Sequence, residues 1–257
     1  EITVPDGYSI AISGRKQNTL SFSIAAGNSA VFTVFFTPES PGIYNGNLII
    51  THNVDSENRI IALNAISLTA QNTPFIAGFE TDSNLWTFAN ENQTNKWMQG
   101  TLVAQTGNGG LFISGDDGIS HTYITNSASV SYFYRDIIIP EGTENCKLRF
   151  SWKAKGEGTG PYFDYLRVYC VEPDVVPEAG IMLNTGQLSS PLNLTEIWKE
   201  AELDIPNSLS GRPQRIIFAW KNDTTGGTQP PAAVDNIRVL LNNNTDYEIG
   251  RASCKSV

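Results

Sequence analysis

"AWKNDTTGGTQPPAAVDNIRV", residues 219–239, sets Asp235 and Asn236 between apolar neighbours in a stretch that otherwise alternates as a strand does. A carboxylate in a half-buried strand is costly unless something compensates its charge, so Asp235 demands a partner. The turn before it is rich in glycine and proline, and Pro230 and Pro231 stiffen the loop that delivers this last strand. Outward from here the same texture recurs. Short alternating runs are punctuated by Gly, Pro, Asn and Ser, and no stretch holds a helical period over three turns. The chain is expected to be all-β.

At 257 residues it is long enough for two compact units or one large β unit. Seventeen basic against 26 acidic residues give a net charge of −9, which repels phosphate backbones and anionic lipid and suits hard cations. Nucleic acid is therefore not expected as a partner. No window approaches the run of about 20 apolar residues that a spanning helix needs, so no membrane insertion by this segment is expected. Residue 1 begins directly in strand-like sequence without a charged and then apolar leader, as expected of a processed or trimmed piece of a larger multidomain chain.

The first block contains "GYSIAIS", "TLSFSI", "AVFTVFFTP", "YNGNLIITHN" and "RIIALNA", five strand-like runs at sandwich spacing. In the order "AAGNSAVFTVFFTPESPGIYNGNLIITHN…IIALNA" it resembles immunoglobulin-like domains of the abnormal-spindle and hydin type. That resemblance implies a spacer or docking platform. The polar stretch "SLTAQNTP", residues 67–74, follows, and Pro74 blocks simple continuation of the preceding strand. The expected division is an immunoglobulin-like β-sandwich at 1–72, a second sandwich at 73–242 and a polar tail at 243–257. The second block carries Trp86, Trp97, Trp152, Trp198 and Trp220 and is the expected seat of function.

Within "CKLRFSWKAKGEGTGPYFDYLRVYC", 146–170, alternation puts Cys146, Leu148, Phe150 and Trp152 on one face. If the glycine-rich segment is a tight turn, Phe150 pairs with Leu166, Leu148 with Val168 and Cys146 with Cys170. Apolar then meets apolar throughout, and the cysteines are either bridged or two free core residues. Cys254 lies in the tail.

The two histidines, His52 and His121, sit in neither H-E-x-x-H nor near G-x-S-x-G, and no phosphate-binding glycine motif follows a strand. "AELDIPN", 201–207, approaches the E-x-D-x-x-E strand of laminarinase-type glycosidases, but Asn207 stands where the last acid belongs. Acid and nucleophile roles need two carboxyls at defined separation. An amphipathic strand, with Glu202 and Asp204 in solvent and Leu203 and Ile205 inward, accounts for the same residues. No enzyme activity is expected.

Glu80, in "FIAGFETD", is the second acid beside apolar strand sequence. Sandwiches often bring first and last strands together, and two carboxylates there would need a cation or a proton. Calcium takes 6 to 8 oxygen ligands. "SGDDG", 114–118, adds Asp116 and Asp117 on a turn that is otherwise an ordinary surface turn. Pairing with Arg238 or Lys221 is the competing account of Glu80 and Asp235.

"FIAGFETDSNLWTF", "YFYRDIIIPEG", "LRFSWKAKGEG…FDYLRVY" and "IIFAWKNDTTGGTQPPAAVDNIRV" together resemble the cleaved-adhesin, or choice-of-anchor J, domains across roughly 75–241. These are jelly-roll sandwiches of surface and secreted proteins of Gram-negative bacteria, related in shape to MAM domains. The resemblance implies a noncatalytic, extracellular or cell-surface adhesion module with structural calcium, mapping by position onto Glu80 and Asp235 and more loosely onto Asp116 and Asp117. The expected partner is a glycan or an extracellular protein surface. Trp97, Tyr123, Tyr132 and Tyr134 are candidates for stacking on sugar rings, with Trp97 and Tyr123 taken as ligand-binding residues; core packing is the alternative for each. An accessory domain of a larger secreted protease or glycoside hydrolase is the alternative function.

Overall fold

The computed structural model describes residues 1–12, 15–40, 42–54, 57–67, 70–80, 85–158 and 163–241. The tail at 243–257, with Cys254, lies outside the described residues. The chain divides into two compact units, Glu1–Thr69 and Ala70–Val257. Among the described residues the regular structure is strand, apart from one 3-10 turn at Asn207–Leu209.

The first unit is the immunoglobulin-like sandwich. Its strands are β1 (Ile2–Thr3), β2 (Tyr8–Ala11), β3 (Thr19–Leu20), β4 (Thr33–Phe36), β5 (Gly42–Ile50) and β6 (Arg59–Ser67). One sheet runs β3-β1-β5-β6 and the other pairs β2 with β4. Ile2, Val4, Tyr8, Ile10 and Leu48 form its buried centre. Tyr8, Phe36 and Tyr44 close the sandwich as a chain of tilted and edge-on rings.

The second unit is the jelly-roll sandwich. Its strands are β7 (Gln71–Asn72), β8 (Phe75–Ala77), β9 (Thr87–Ala89), β10 (Lys96–Gly100), β11 (Gly110–Ser114), β12 (Ser129–Ile138), β13 (Cys146–Ala154), β14 (Tyr165–Val171), β15 (Thr195–Ile205), β16 (Pro213–Asn222) and β17 (Ala233–Leu240). The six-stranded sheet runs β10-β11-β17-β13-β15, with β8 also on β17; the five-stranded sheet runs β14-β16-β12-β7, with β9 also on β12.

Alternation aims Leu148, Phe150 and Trp152 of β13 and Val234, Ile237 and Val239 of β17 inward, against Phe133, Leu166, Val168, Phe218 and Trp220 of the facing sheet. Phe133 and Phe218 stack at 4.6 Å between centroids, and Trp97 and Trp86 meet Phe133 edge-on at 4.7 and 5.3 Å.

One expectation fails here. β13 and β14 are not ladder partners: β13 pairs with β15 and β17, and β14 with β16 in the opposite sheet. β13 and β14 therefore lie in different sheets and do not form a hairpin. Apolar faces meet in either arrangement, so alternation could not separate them. Cys146 and Cys170 are free, buried thiols, each held above the usual thiol range by burial, to about 11 and about 12.

Candidate functional site

The second strand of the second unit, β8, lies beside its last, β17, while β7 joins β12 in the other sheet. β8 pairs antiparallel with β17, Ala77 opposite Ile237 and Phe75 opposite Val239. On the same edge of β17, β11 pairs with Ala233 and Val234. Between these contacts, at Asp235 and Asn236, the edge changes neighbour and a gap opens.

The backbone at that point carries a β-bulge. Arg149 of β13 faces Arg238 and Ser151 faces Asp235, so Asn236 and Ile237 together span the place of Phe150. Asn236 takes the extra step in the left-handed region, at φ 53°, a conformation asparagine tolerates better than most residues. Without the added residue, alternation from Val234 would send Asn236 into the core. With it, Val234 and Ile237 both face inward and Asp235 turns away from them.

The loop before β11 fills the gap. The amides of Gln105 and Thr106 donate to Asp235 Oδ2 at 2.8 and 3.1 Å, and the Asn236 amide donates to Oδ1 at 2.6 Å. Asn236 Nδ2 donates to Gln105 Oε1 at 2.9 Å, and Thr106 Oγ1 donates to Asn236 Oδ1 at 3.0 Å. Asp235 is 0% exposed. Burial raises its pKa, with the charge of Glu80 adding to the rise against three opposing amides.

Glu80 arrives by a second left-handed residue. Phe79, buried against Trp86, holds φ 58° and returns the chain from β8 toward the same loop. Glu80 is exposed and accepts a 2.8 Å bond from the Asn108 amide. A Cβ at Gly107 would collide with the Glu80 carboxylate, and one at Gly109 with the Phe79 carbonyl, so glycine is what lets the loop close. Neither acid has a Lys or Arg partner among the described residues, and the competing account through Arg238 or Lys221 does not describe Asp235. The side-chain oxygens at the corner, from Glu80, Asp235, Gln105, Thr106 and Asn236, are of the kind a hard cation takes, and those of Asp235, Gln105 and Asn236 already accept hydrogen bonds.

The other candidates are placed elsewhere. Asp116 spends both oxygens on its own turn, accepting from Ser114, from the Ser120 hydroxyl and from the Ser120 amide, bonds that hold its pKa down to about 2. Asp117 pairs with Lys96 at 2.7 Å. Trp97 and Tyr123, read as sugar-stacking residues, are 1% and 3% exposed. This is a correction: Trp97 lies edge-on to Phe133 with its indole N–H on the Ser131 carbonyl, and Tyr123 donates to Asp164, so neither ring offers a face to a ligand. Tyr132 is roofed by the segment carrying Ile181 and Leu183, and Tyr134 lies 4.4 Å beneath the Arg215 guanidinium. Glu202 and Asp204 face outward as expected, bridged by Lys147 at 2.6 and 3.0 Å.

One aromatic does sit on a surface. Ala201 and Leu203 of β15 pack on the core, while Trp198 is half-buried in a separate cluster beside Met98, Val103, Phe112 and Ala233. The Lys153 ammonium lies 5.1 Å from its ring centroid. His121 packs edge-on against Phe112 on the same face, its pKa lowered to about 4 by burial first and by the charge of Lys153. Sequence reasoning overlooked Trp198, around which exposed Ile197, Lys199 and Glu200 break the alternation.

No family model matches the sequence, and no curated protein matches it. Among solved structures, the chain is similar to a carbohydrate-binding module of the β-sandwich superfamily at 17% identity, covering 91% of this chain and 84% of that one, with a TM-score of 0.40. It is similar to the K1 cleaved adhesin domain of Lys-gingipain from Porphyromonas gingivalis W83 at 14% identity, covering 66% and 99%, with a TM-score of 0.41. It is also similar to the CBM22-1 xylan-binding domain of Paenibacillus barcinonensis Xyn10C at 10% identity, covering 67% and 97%, with a TM-score of 0.39. These structures include the cleaved adhesin fold that the sequence resembles.

Proposed function

We propose that the second unit is a noncatalytic ligand-binding or adhesion module of a secreted or surface-exposed bacterial protein, preceded in the chain by an immunoglobulin-like spacer. A glycan is the ligand class. The reading is carried by Trp198, a half-buried indole on an outer sheet face with a cation against it. An aromatic face stacks on the apolar side of a sugar ring, while Lys153 supplies a donor to its hydroxyls. The acids support a binding role in another way: Glu202, Asp204, Asp116 and Asp117 are each engaged in ion pairs or turn bonds.

Screening the protein against polysaccharides, oligosaccharides and extracellular matrix proteins tests this. Glycan binding that Trp198→Ala abolishes, at unchanged circular dichroism, is the expected outcome. Binding that survives the substitution, or binding only to proteins, would remove glycan recognition from this face.

Calcium belongs to the same proposal as a structural ion at the corner, with Glu80 as its open carboxylate and Asp235 anchoring the loop. A ligand that binds only the folded state stabilises by about 2.7 kcal/mol at 100 times its Kd. A chelator-stripped sample should therefore melt lower than one given calcium, and Glu80→Gln should shrink the difference. Equal melting temperatures with and without calcium would remove the ion.

A further inference from the structure

The geometry points to a second cation site, formed by Glu157, Asp164 and Asp223 and separate from the corner at Asp235. These acids come from three places in the chain: Glu157 follows β13, Asp164 precedes β14, and Asp223 follows β16. Each offers a carboxylate oxygen, and the three oxygens lie within 4.8 Å of one another. Asp164 is 0% exposed. Among the described residues no Lys, Arg or His forms an ion pair with any of the three.

Glu157 Oε2 is the observation that turns a cluster into a site. It is enclosed from solvent and accepts no hydrogen bond, which a buried carboxylate oxygen does not tolerate without a compensating group. The neighbouring bonds leave it unassigned: Tyr123 donates to Asp164 Oδ2, the Asp223 amide donates to Asp164 Oδ1 at 3.0 Å, and the Thr225 amide donates to Asp223 Oδ1 at 2.7 Å. Burial above all, with the charges of Asp223 and Glu157 adding to it, raises the Asp164 carboxyl to about 6 against the bonds from Tyr123 and the Asp223 amide.

Two glycines close the loop over this group. A Cβ at Gly226 would strike the Glu157 carboxylate, and one at Gly227 would come within 2.6 Å of Asp164 Oδ2. Thr228 fastens the loop to the β13 end through its amide and hydroxyl, both donating to the Gly156 carbonyl at 3.0 and 2.7 Å.

The donors are oxygens from three separate loops, without sulfur or imidazole. That set selects a hard cation, and its irregular, loop-borne geometry suits calcium better than the strict octahedron of magnesium. Three carboxylates repel one another in the empty site, and a divalent ion relieves the repulsion. Bound calcium would tie the end of β13 and the start of β14 to the segment "DTTGGTQPP", 223–231, which delivers the last strand.

Calorimetric titration of the chelator-stripped chain with calcium chloride, beside Glu157→Gln/Asp223→Asn and Glu80→Gln, tests this. The double variant should lose one bound ion per chain that Glu80→Gln retains. In chelator it should melt at or above the wild type, because the repulsion is gone; in calcium the wild type should gain more. An ion lost only in Glu80→Gln would leave the corner reading standing and overturn this one. Unchanged stoichiometry in the double variant overturns it as well, and no calcium uptake by the wild type overturns both.

Discussion

Asp235→Ala is expected to lower folding stability by about 3 kcal/mol, read as a fall in the denaturant midpoint. The carboxylate accepts from three backbone amides, those of Gln105, Thr106 and Asn236. Each amide left buried without an acceptor costs about 1–3 kcal/mol. Two terms hold the total below the sum. Removing a carboxylate whose pKa burial and Glu80 already raise relieves an unfavourable charge, and Gln105 and Thr106 are exposed residues whose amides water can take over. Glu80→Gln is the contrast. Its residue is exposed and accepts from one amide, so without calcium it should cost less than about 1 kcal/mol. Equal effects of the two substitutions would mean that the corner is not built around Asp235.

Phe133→Ala is expected to cost about 3–5 kcal/mol, the range for emptying a large aromatic site in a core. Phe133 is wholly buried, stacked on Phe218 and met edge-on by Trp86 and Trp97, so the space it leaves is walled by rings that cannot collapse together without breaking their own contacts. Trp198→Ala removes a larger side chain from the outer face yet should destabilise by less. Solvent already reaches part of that ring, and water can fill the space it leaves, which it cannot do at Phe133. Midpoints of chemical denaturation for the two variants check the ordering. A larger loss for Trp198→Ala would place that residue in the core and withdraw it from ligand binding.

Alternation and turn residues were enough to read the all-β class and the inward faces of β13 and β17, because period-two patterning reflects burial directly. They also singled out Asp235, since a carboxylate among Val234, Ile237 and Val239 breaks the pattern. What lay beyond local pattern was which strands share a sheet. Leu148, Phe150 and Cys146 meet Val168, Leu166 and Cys170 across the core, and a ladder between them would have shown the same faces. The sugar-stacking reading of Trp97 and Tyr123 failed for a related reason: an isolated aromatic carries no sign of which side of the strand faces solvent unless its neighbours alternate clearly. Around Trp198 the pattern also lapses, since Ile197, Lys199 and Glu200 are all exposed, and clear alternation begins only at Glu200. Glu157, Asp164 and Asp223 are separated by 7 and 59 positions in the chain, and the hairpin read between β13 and β14 gave no reason to place Asp223 beside the other two.

The account rests on the tie between the two ends of the second unit, with Asp235 holding the 105–109 loop in the gap between β8 and β11. Amide hydrogen exchange at Gln105 and Thr106 reads that tie directly. In the wild type both amides should exchange slowly, as strand amides do, and in Asp235→Ala both should become fast while the amides of β12 and β16 stay protected. Fast exchange at both positions in the wild type would contradict the account.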